Sequence, residues 1–237
     1  MPGELIRVAP ARVLAIYAHP DDCDVSCGGA LARWSKEGSE VHLVVCAMGD
    51  KGSSDPLADI AALIEQREQE THDAAEVLGV ASVHLLAHRD GELENDLALR
   101  GELVALMRAF RPDALVCPDP SALFFGEHYF NHRDHRVVGF AALDAAFPAA
   151  ASPLYFPEHG KPTTIGVAYL SGSLEPNVYV DVTATIDRKA DAIICHKSQL
   201  GETGEWFRTV VHERAEQAGR QVGVPFAEAF RRLQGQG

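Results

Sequence analysis

The run Val13-Leu14-Ala15-Ile16-Tyr17 is short, apolar and rich in β-forming residues, the pattern of a strand buried on both faces in a parallel sheet. Such a strand needs covering layers above and below it, so this one stretch commits the chain to an α/β architecture. The polar turn Ala18-His19-Pro20-Asp21-Asp22 follows at once, and Gly28-Gly29 then leads into the helical pattern Ala30-Leu31-Ala32-Arg33-Trp34. The turn therefore sits at the carboxyl end of a central strand, where open α/β sheets build their sites.

The rest of the chain repeats the alternation. Strand-like runs are Val41 to Ala47, Ser82 to Leu86, Ala114 to Cys117, Ile165 to Leu170 and Val178 to Val182. Helical spacing covers about Ala58 to Leu78, Asp96 to Phe110, Asn131 to Phe147 and Ala184 to Cys195, and the stretch from Glu205 to the terminus reads as polar helix. Gly79 suits a left-handed cap, Pro112 stops a helix, and Asn131 stands as an N-cap with Asp134 in the capping-box position. The expected fold is a Rossmann-like three-layer sandwich with a mostly parallel sheet, in one domain spanning residues 1–237.

Composition narrows the partners. Lys+Arg of 21 against Asp+Glu of 34 gives a formal net charge of -13, which argues against nucleic acid and anionic membranes, both polyanions. No apolar stretch approaches the roughly 20 residues needed to span a bilayer. The start of the chain lacks a charged segment followed by an apolar one, so a cytoplasmic location is expected. The five cysteines read as reduced thiols rather than a disulfide framework.

Two clusters carry the chemistry: His19 with Asp21 and Asp22, and His132 with Asp134 and His135. Either could be bland alone, since Pro and Asp are turn formers and histidine is often partly exposed. Each stands at the end of a β-run, however, and two histidines with a carboxylate make a catalytic zinc site with room for water and substrate. His132 and His135, three apart at a helix start, point to one side. Both could face one metal, or one could bind it while the other faces the substrate.

These pieces resemble the LmbE-like or PIG-L family of zinc-dependent N-deacetylases, which remove acetyl groups from N-acetylglucosamine-type amides. The resemblance rests on Ala18-His19-Pro20-Asp21-Asp22 with Gly28-Gly29, and on His132-Arg133-Asp134-His135. Supporting pieces are Arg67-x-x-Glu70 before Leu78-Gly79-Val80, Asp90-Gly91, and Asp181-Val182 leading to His196-x-Ser198-Gln199. It implies Zn2+ held by His19, Asp22 and His135, with Asp21 as the base that activates water. His132 would stabilise the oxyanion or protonate the leaving amine, and Arg67 would line the substrate pocket. We expect the Asp134 carboxylate to set the tautomer of His132 and support its charged form, because a helix amino terminus disfavours imidazolium. Asp90 is expected on a sugar hydroxyl and His196 in the active-site wall. Phe130 stands where some relatives carry a mobile tyrosine, so no acid role passes to it, and it is expected among the substrate-binding residues. Cys23 replaces a common glutamate, and the family pattern makes Cys23 and Cys27 bystanders. Arg133 replaces the usual proline and would add a positive rim.

The expected activity is hydrolysis of an N-acetyl group on an amino sugar or its conjugate, a small-molecule substrate selected by the loops 48–56, 121–130 and 149–164. The resemblance also allows a homo-oligomer. Rivals are an amidase acting on a larger amide or thiol conjugate, a non-catalytic metal-binding protein, and a nucleotide-binding Rossmann protein. The last lacks a Gly-x-Gly-x-x-Gly, and Asp21, Asp22 and Asp24 would repel phosphate.

Overall fold

The computed structural model describes residues 3–235, apart from the side chains of Glu202 and Glu205. Its main strands are β1 (Glu4–Ile6), β2 (Arg12–Tyr17), β3 (Glu40–Ala47), β4 (Ser82–His88), β5 (Ala114–Pro118), β8 (Val167–Ser171), β9 (Val178–Asp181) and β10 (Ala227–Gln234). A small hairpin pairs β6 (Phe124–Phe125) with β7 (Tyr129–Phe130). The helices are α1 (Asp22–Lys36), α2 (Ile60–Leu78), α3 (Leu97–Phe110), α4 (Arg133–Asp144), α5 (Ile186–Cys195), α6 (Lys197–Leu200) and α7 (Gly204–Arg220). No helix among the described residues is long and apolar enough to cross a membrane.

The sheet runs in the order β1-β9-β10-β8-β5-β2-β3-β4. Every pairing in it is parallel except those of β10, which lies antiparallel to both β8 and β9. Strand β2 alternates as the sequence predicts. Val13, Ala15 and Tyr17 face a core shared with Leu31, Trp34, Ile186 and Val211, whereas Leu14 and Ile16 face one shared with Leu103, Met107 and Val138. Helices thus cover both faces, and the mostly parallel three-layer reading holds.

Four details differ from the sequence reading. The polar tail is not all helix: α7 stops at Arg220, and Ala227–Gln234 returns as a strand inside the sheet. Its charges find distant partners, Glu228 with Lys189, Arg231 with Glu175 and Arg232 with Glu4. Strand β1 is a second element that the apolar pattern misses. Helix α4 is capped by His132, not Asn131, whose side chain is engaged elsewhere.

The fourth difference concerns specificity. Residues 149–164 connect the carboxyl end of α4 to the start of β8, which aligns with the start of β5. This loop leaves and re-enters at the amino-terminal edge of the strands, opposite the polar turn, and its Phe156 and His159 pack against Gly101 of α3. Arg108 organises it by donating to the carbonyls of Ala149, Ala150, Ser152, Tyr155, Phe156 and Gly160.

Helix α1 is broken at Cys27 (φ -147, ψ 15). Its second half begins like a new helix, and the Glu228 carboxylate of β10 accepts from the Gly29 and Ala30 N–H groups at 3.0 and 2.7 Å. A side chain at Gly29 would meet Val182 Cβ at 3.0 Å and Glu228 Oε1 at 3.1 Å, so glycine gives the residue after β9 and strand β10 room to approach this break.

Candidate active site

The carboxyl ends of β2 and β4 and the amino end of α4 meet at one point. The turn after β2 is closed by the His19 N–H donating to Asp22 Oδ2 at 2.8 Å. That bond brings His19 Nδ1 within 3.4 Å of Asp22 Oδ2. His135, one turn into α4, places Nε2 at 3.3 Å from His19 Nδ1 and 3.0 Å from Asp22 Oδ1. Two ligands bound at about 2.0–2.1 Å to a tetrahedral ion lie roughly 3.3 Å apart, so these three groups fit one divalent metal.

The opposite nitrogen of His19 is held from behind. Nε2 lies 3.0 Å from Asp90 Oδ1 and 3.6 Å from Asp134 Oδ2. Burial works against a charged imidazole here, but hydrogen bonds to Asp134, Asp22 and Asp90 overcome it and push the His19 pKa up to about 12. Burial likewise opposes the Asp22 carboxylate, and His135 and His19 overcome it and hold its pKa well below the usual range. Three carboxylates around one imidazole demand positive charge, which a divalent cation supplies.

Asp21 stands beside this cluster. Burial and the neighbouring Asp22 raise its pKa, while Arg67, 3.5 Å away through Nη2, opposes the rise. Arg67 also donates to the Gly49 carbonyl at 3.0 Å. Gly49 has φ 69, and a side chain there would strike the guanidinium at 2.2 Å, so the loop after β3 requires glycine.

The family profile described as GlcNAc-PI de-N-acetylase, PIG-L, matches residues 14–146, from β2 to just past α4 and so across both histidine motifs. The chain belongs to the PIG-L family. Diacetylchitobiose deacetylase of Thermococcus kodakarensis is 29% identical over 233 residues, covering 94% of this chain and 84% of its own. The Saccharopolyspora erythraea protein named 1D-myo-inositol 2-acetamido-2-deoxy-alpha-D-glucopyranoside deacetylase 2 is 29% identical over 248 residues, covering 84% and 88%. The solved N,N'-diacetylchitobiose deacetylase of Pyrococcus horikoshii superposes with a TM-score of 0.86 at 29% identity, covering 95% of this chain and 84% of that one.

Several residues of this PIG-L chain sit differently from expectation. The Asp134 carboxylate makes no hydrogen bond to the His132 ring. It accepts the Gly91 N–H at 2.6 Å and faces His19 instead. The tautomer of His132 is set by the backbone: Nδ1 accepts the Asp134 N–H at 3.2 Å, which leaves the hydrogen on Nε2. Burial and the neighbouring His19 and His135 lower the His132 pKa, so this residue is a neutral donor rather than an imidazolium.

Asp90 is engaged with His19 through Oδ1, and its N–H is pinned by Asp50 at 2.8 Å. Arg67 is buried beneath Asp21, 3% exposed, rather than displayed on a pocket surface. His196 is fully buried against Asp24, with Nε2 2.8 Å from Oδ2, and does not form a wall that substrate could touch. Its neighbours Ser198 and Gln199 tie α6 to Glu70 and to the Gly52 carbonyl. Cys23 and Cys27 are buried with thiol pKa values pushed up chiefly by burial, which suits bystanders rather than ligands.

Phe130 stands at the rim. It is 55% exposed, pairs with Phe124 across the hairpin at 5.4 Å, and lies against the Arg136 guanidinium at 4.7 Å. Asn131 is the residue the sequence reading undervalued: it is 5% exposed, and its Oδ1 lies 3.1 Å from His135 Nδ1. The spacing Asn131 to His135 was a readable signal, since residues four apart at a helix start stand above one another.

Proposed function

We propose that the chain is a zinc-dependent N-deacetylase that hydrolyses the acetamido group of N-acetylglucosamine-type amino sugars or their conjugates. The observation that carries the reading is the approach of the His19, Asp22 and His135 side chains to one another at 3.0–3.4 Å, with a second carboxylate, Asp21, beside them and outside the three. The named activities of the Thermococcus and Saccharopolyspora relatives support it, because both act on an acetylated glucosamine unit.

His19, Asp22 and His135 would hold the metal. When bound there, zinc would supply Lewis-acid polarisation of the amide carbonyl and lower the pKa of water towards neutrality. Asp21 accepts that proton, and its raised pKa brings it nearer the operating pH, where a general base works best. The neutral His132 donates Nε2–H to the oxygen that becomes negative in the tetrahedral transition state. As the C–N bond breaks, Asp21 returns its proton to the departing amine, so water and amide become acetate and free amine. Arg67 beneath Asp21 keeps its carboxylate in place and limits the rise in its pKa. Phe124 and Phe130 offer exposed rings at the rim for the apolar face of a pyranose.

Both ends of the chain enter one sheet, β1 beside β9 and β10 between β9 and β8, which supports the reading of a single domain. We also read the chain as working in the cytoplasm on a small-molecule substrate, alone or as a homo-oligomer. Acetate release from N-acetylglucosamine, diacetylchitobiose and N-acetylglucosaminyl-inositol tests the activity. Release that is abolished by a chelator and restored by zinc is expected, and no release from any of them would refute the assignment.

A further inference from the structure

The ligand His135 must present one particular nitrogen to the metal, and the groups that enforce this lie outside the metal cluster. We infer that Asn131 is the residue that fixes the tautomer and ring of His135, and that Asp119, at the end of β5, holds Asn131 in the pose that does so. Both act through another residue, so they are positioning residues. The inference rests on the metal-centre reading.

The orientation of the Asn131 amide follows from its partners. Nδ2 donates to the Ala122 carbonyl at 2.8 Å, and a carbonyl oxygen cannot donate in return. The oxygen Oδ1 must then be the atom that faces His135 Nδ1 at 3.1 Å. An amide oxygen only accepts, so Nδ1 carries the hydrogen and Nε2 keeps its lone pair. Nε2 is the nitrogen that points at His19 and Asp22.

The carbonyl that orients Asn131 is itself placed. Asp119 is buried, and its N–H donates to the Ser171 carbonyl at the end of β8 at 2.9 Å. Its Oδ1 accepts the Ser121 N–H at 2.9 Å and the Ser121 hydroxyl at 2.6 Å, which folds the turn and aims the Ala122 carbonyl. The Asn131 N–H donates to the Leu123 carbonyl at 2.8 Å and closes the base of the β6–β7 hairpin. The aromatic hairpin thus springs from a base welded to the sheet, and His135 is aimed by that base.

The test is zinc affinity by competition with a chromophoric chelator, with the visible spectrum of the cobalt-loaded protein as a second readout. It uses the full-length wild type, Asn131→Leu, Asn131→Asp, Asp119→Ala, Asp119→Asn and His135→Ala. Asn131→Leu and Asn131→Asp both lose the donor to Ala122, but only the aspartate keeps an acceptor toward His135. Comparing them isolates that contact from any general loosening of the loop. Asn131→Leu is expected to weaken zinc by about 10- to 100-fold and to shift the cobalt bands, while Asn131→Asp retains most of the affinity and the wild-type spectrum. Asp119→Ala is expected to lose affinity in the same direction, and Asp119→Asn, which keeps Oδ1, to recover it. Equal losses in Asn131→Leu and Asn131→Asp, or no loss in either, would overturn the inference. Wild type and His135→Ala binding zinc equally would overturn the metal centre itself.

Discussion

Glu228→Gln is expected to destabilise the protein far from the substrate. Glu228 accepts from Lys189 Nζ at 2.5 Å and from the Gly29 and Ala30 N–H groups, and both charged side chains are buried. Removing one partner of a buried ion pair typically costs about 3–5 kcal/mol, because the other charge is left uncompensated. In a chain of this length about 1 kcal/mol moves the melting temperature by roughly 2–4 °C, so a drop of roughly 6–20 °C is expected. Urea and thermal unfolding followed by circular dichroism measure it. Adding Lys189→Met should recover at least half of the loss, since the stranded charge is then gone. Zinc stoichiometry at 25 °C should be unchanged, because the break at Cys27 separates the capped half of α1 from the turn that carries Asp22. A cost below about 1 kcal/mol, or a double variant no better than the single, would mean that the Lys189–Glu228 pair does not hold this part of the fold.

Asp90→Asn should weaken zinc by about 10- to 100-fold and leave the apparent KM at saturating zinc unchanged, whereas a sugar-binding Asp90 would show the reverse in metal titration and kinetics. Phe130→Ala should raise KM for a disaccharide substrate more than for N-acetylglucosamine if its exposed ring takes the distal sugar, as proposed; equal changes would exclude that contact. His42 and His84, bridged by the Ser82 hydroxyl, have pKa values lowered below 6.5 chiefly by burial. The folded state therefore binds fewer protons than the unfolded one. Their contribution is complete above about pH 6.5 and is lost as pH falls through the folded pKa values. Between pH 7 and 5 the zinc-free wild type should therefore lose stability relative to a His42→Asn/His84→Asn variant, read as the pH dependence of the difference between their urea midpoints.

The central strands were legible because a strand buried on both faces needs a continuous apolar run, as β2, β3 and β5 show. Strand β10 was hidden because Glu228, Arg231 and Arg232 look solvated until Lys189, Glu175 and Glu4 arrive from distant segments. The two histidine motifs could be found by spacing alone, since each belongs to a single turn. The work of Asp90 and Asp134 could not, because it depends on which neighbours the sheet order brings beside them, and that of Asn131 is legible only in its spacing to His135, not in the Ala122 carbonyl that orients it. His196 looked like site wall for a similar reason: a polar helix end reads alike whether it faces a cleft or a buried Asp24.

The most direct measurement is zinc content together with acetate release for wild type, His135→Ala and Asp21→Asn, purified without a chelating column. About one zinc per chain is expected in wild type and Asp21→Asn, loss of metal in His135→Ala, and turnover in Asp21→Asn reduced by about 10²- to 10⁴-fold. Asp21→Asn that turns over normally, or wild type that binds no zinc even when zinc is supplied, would contradict the assignment.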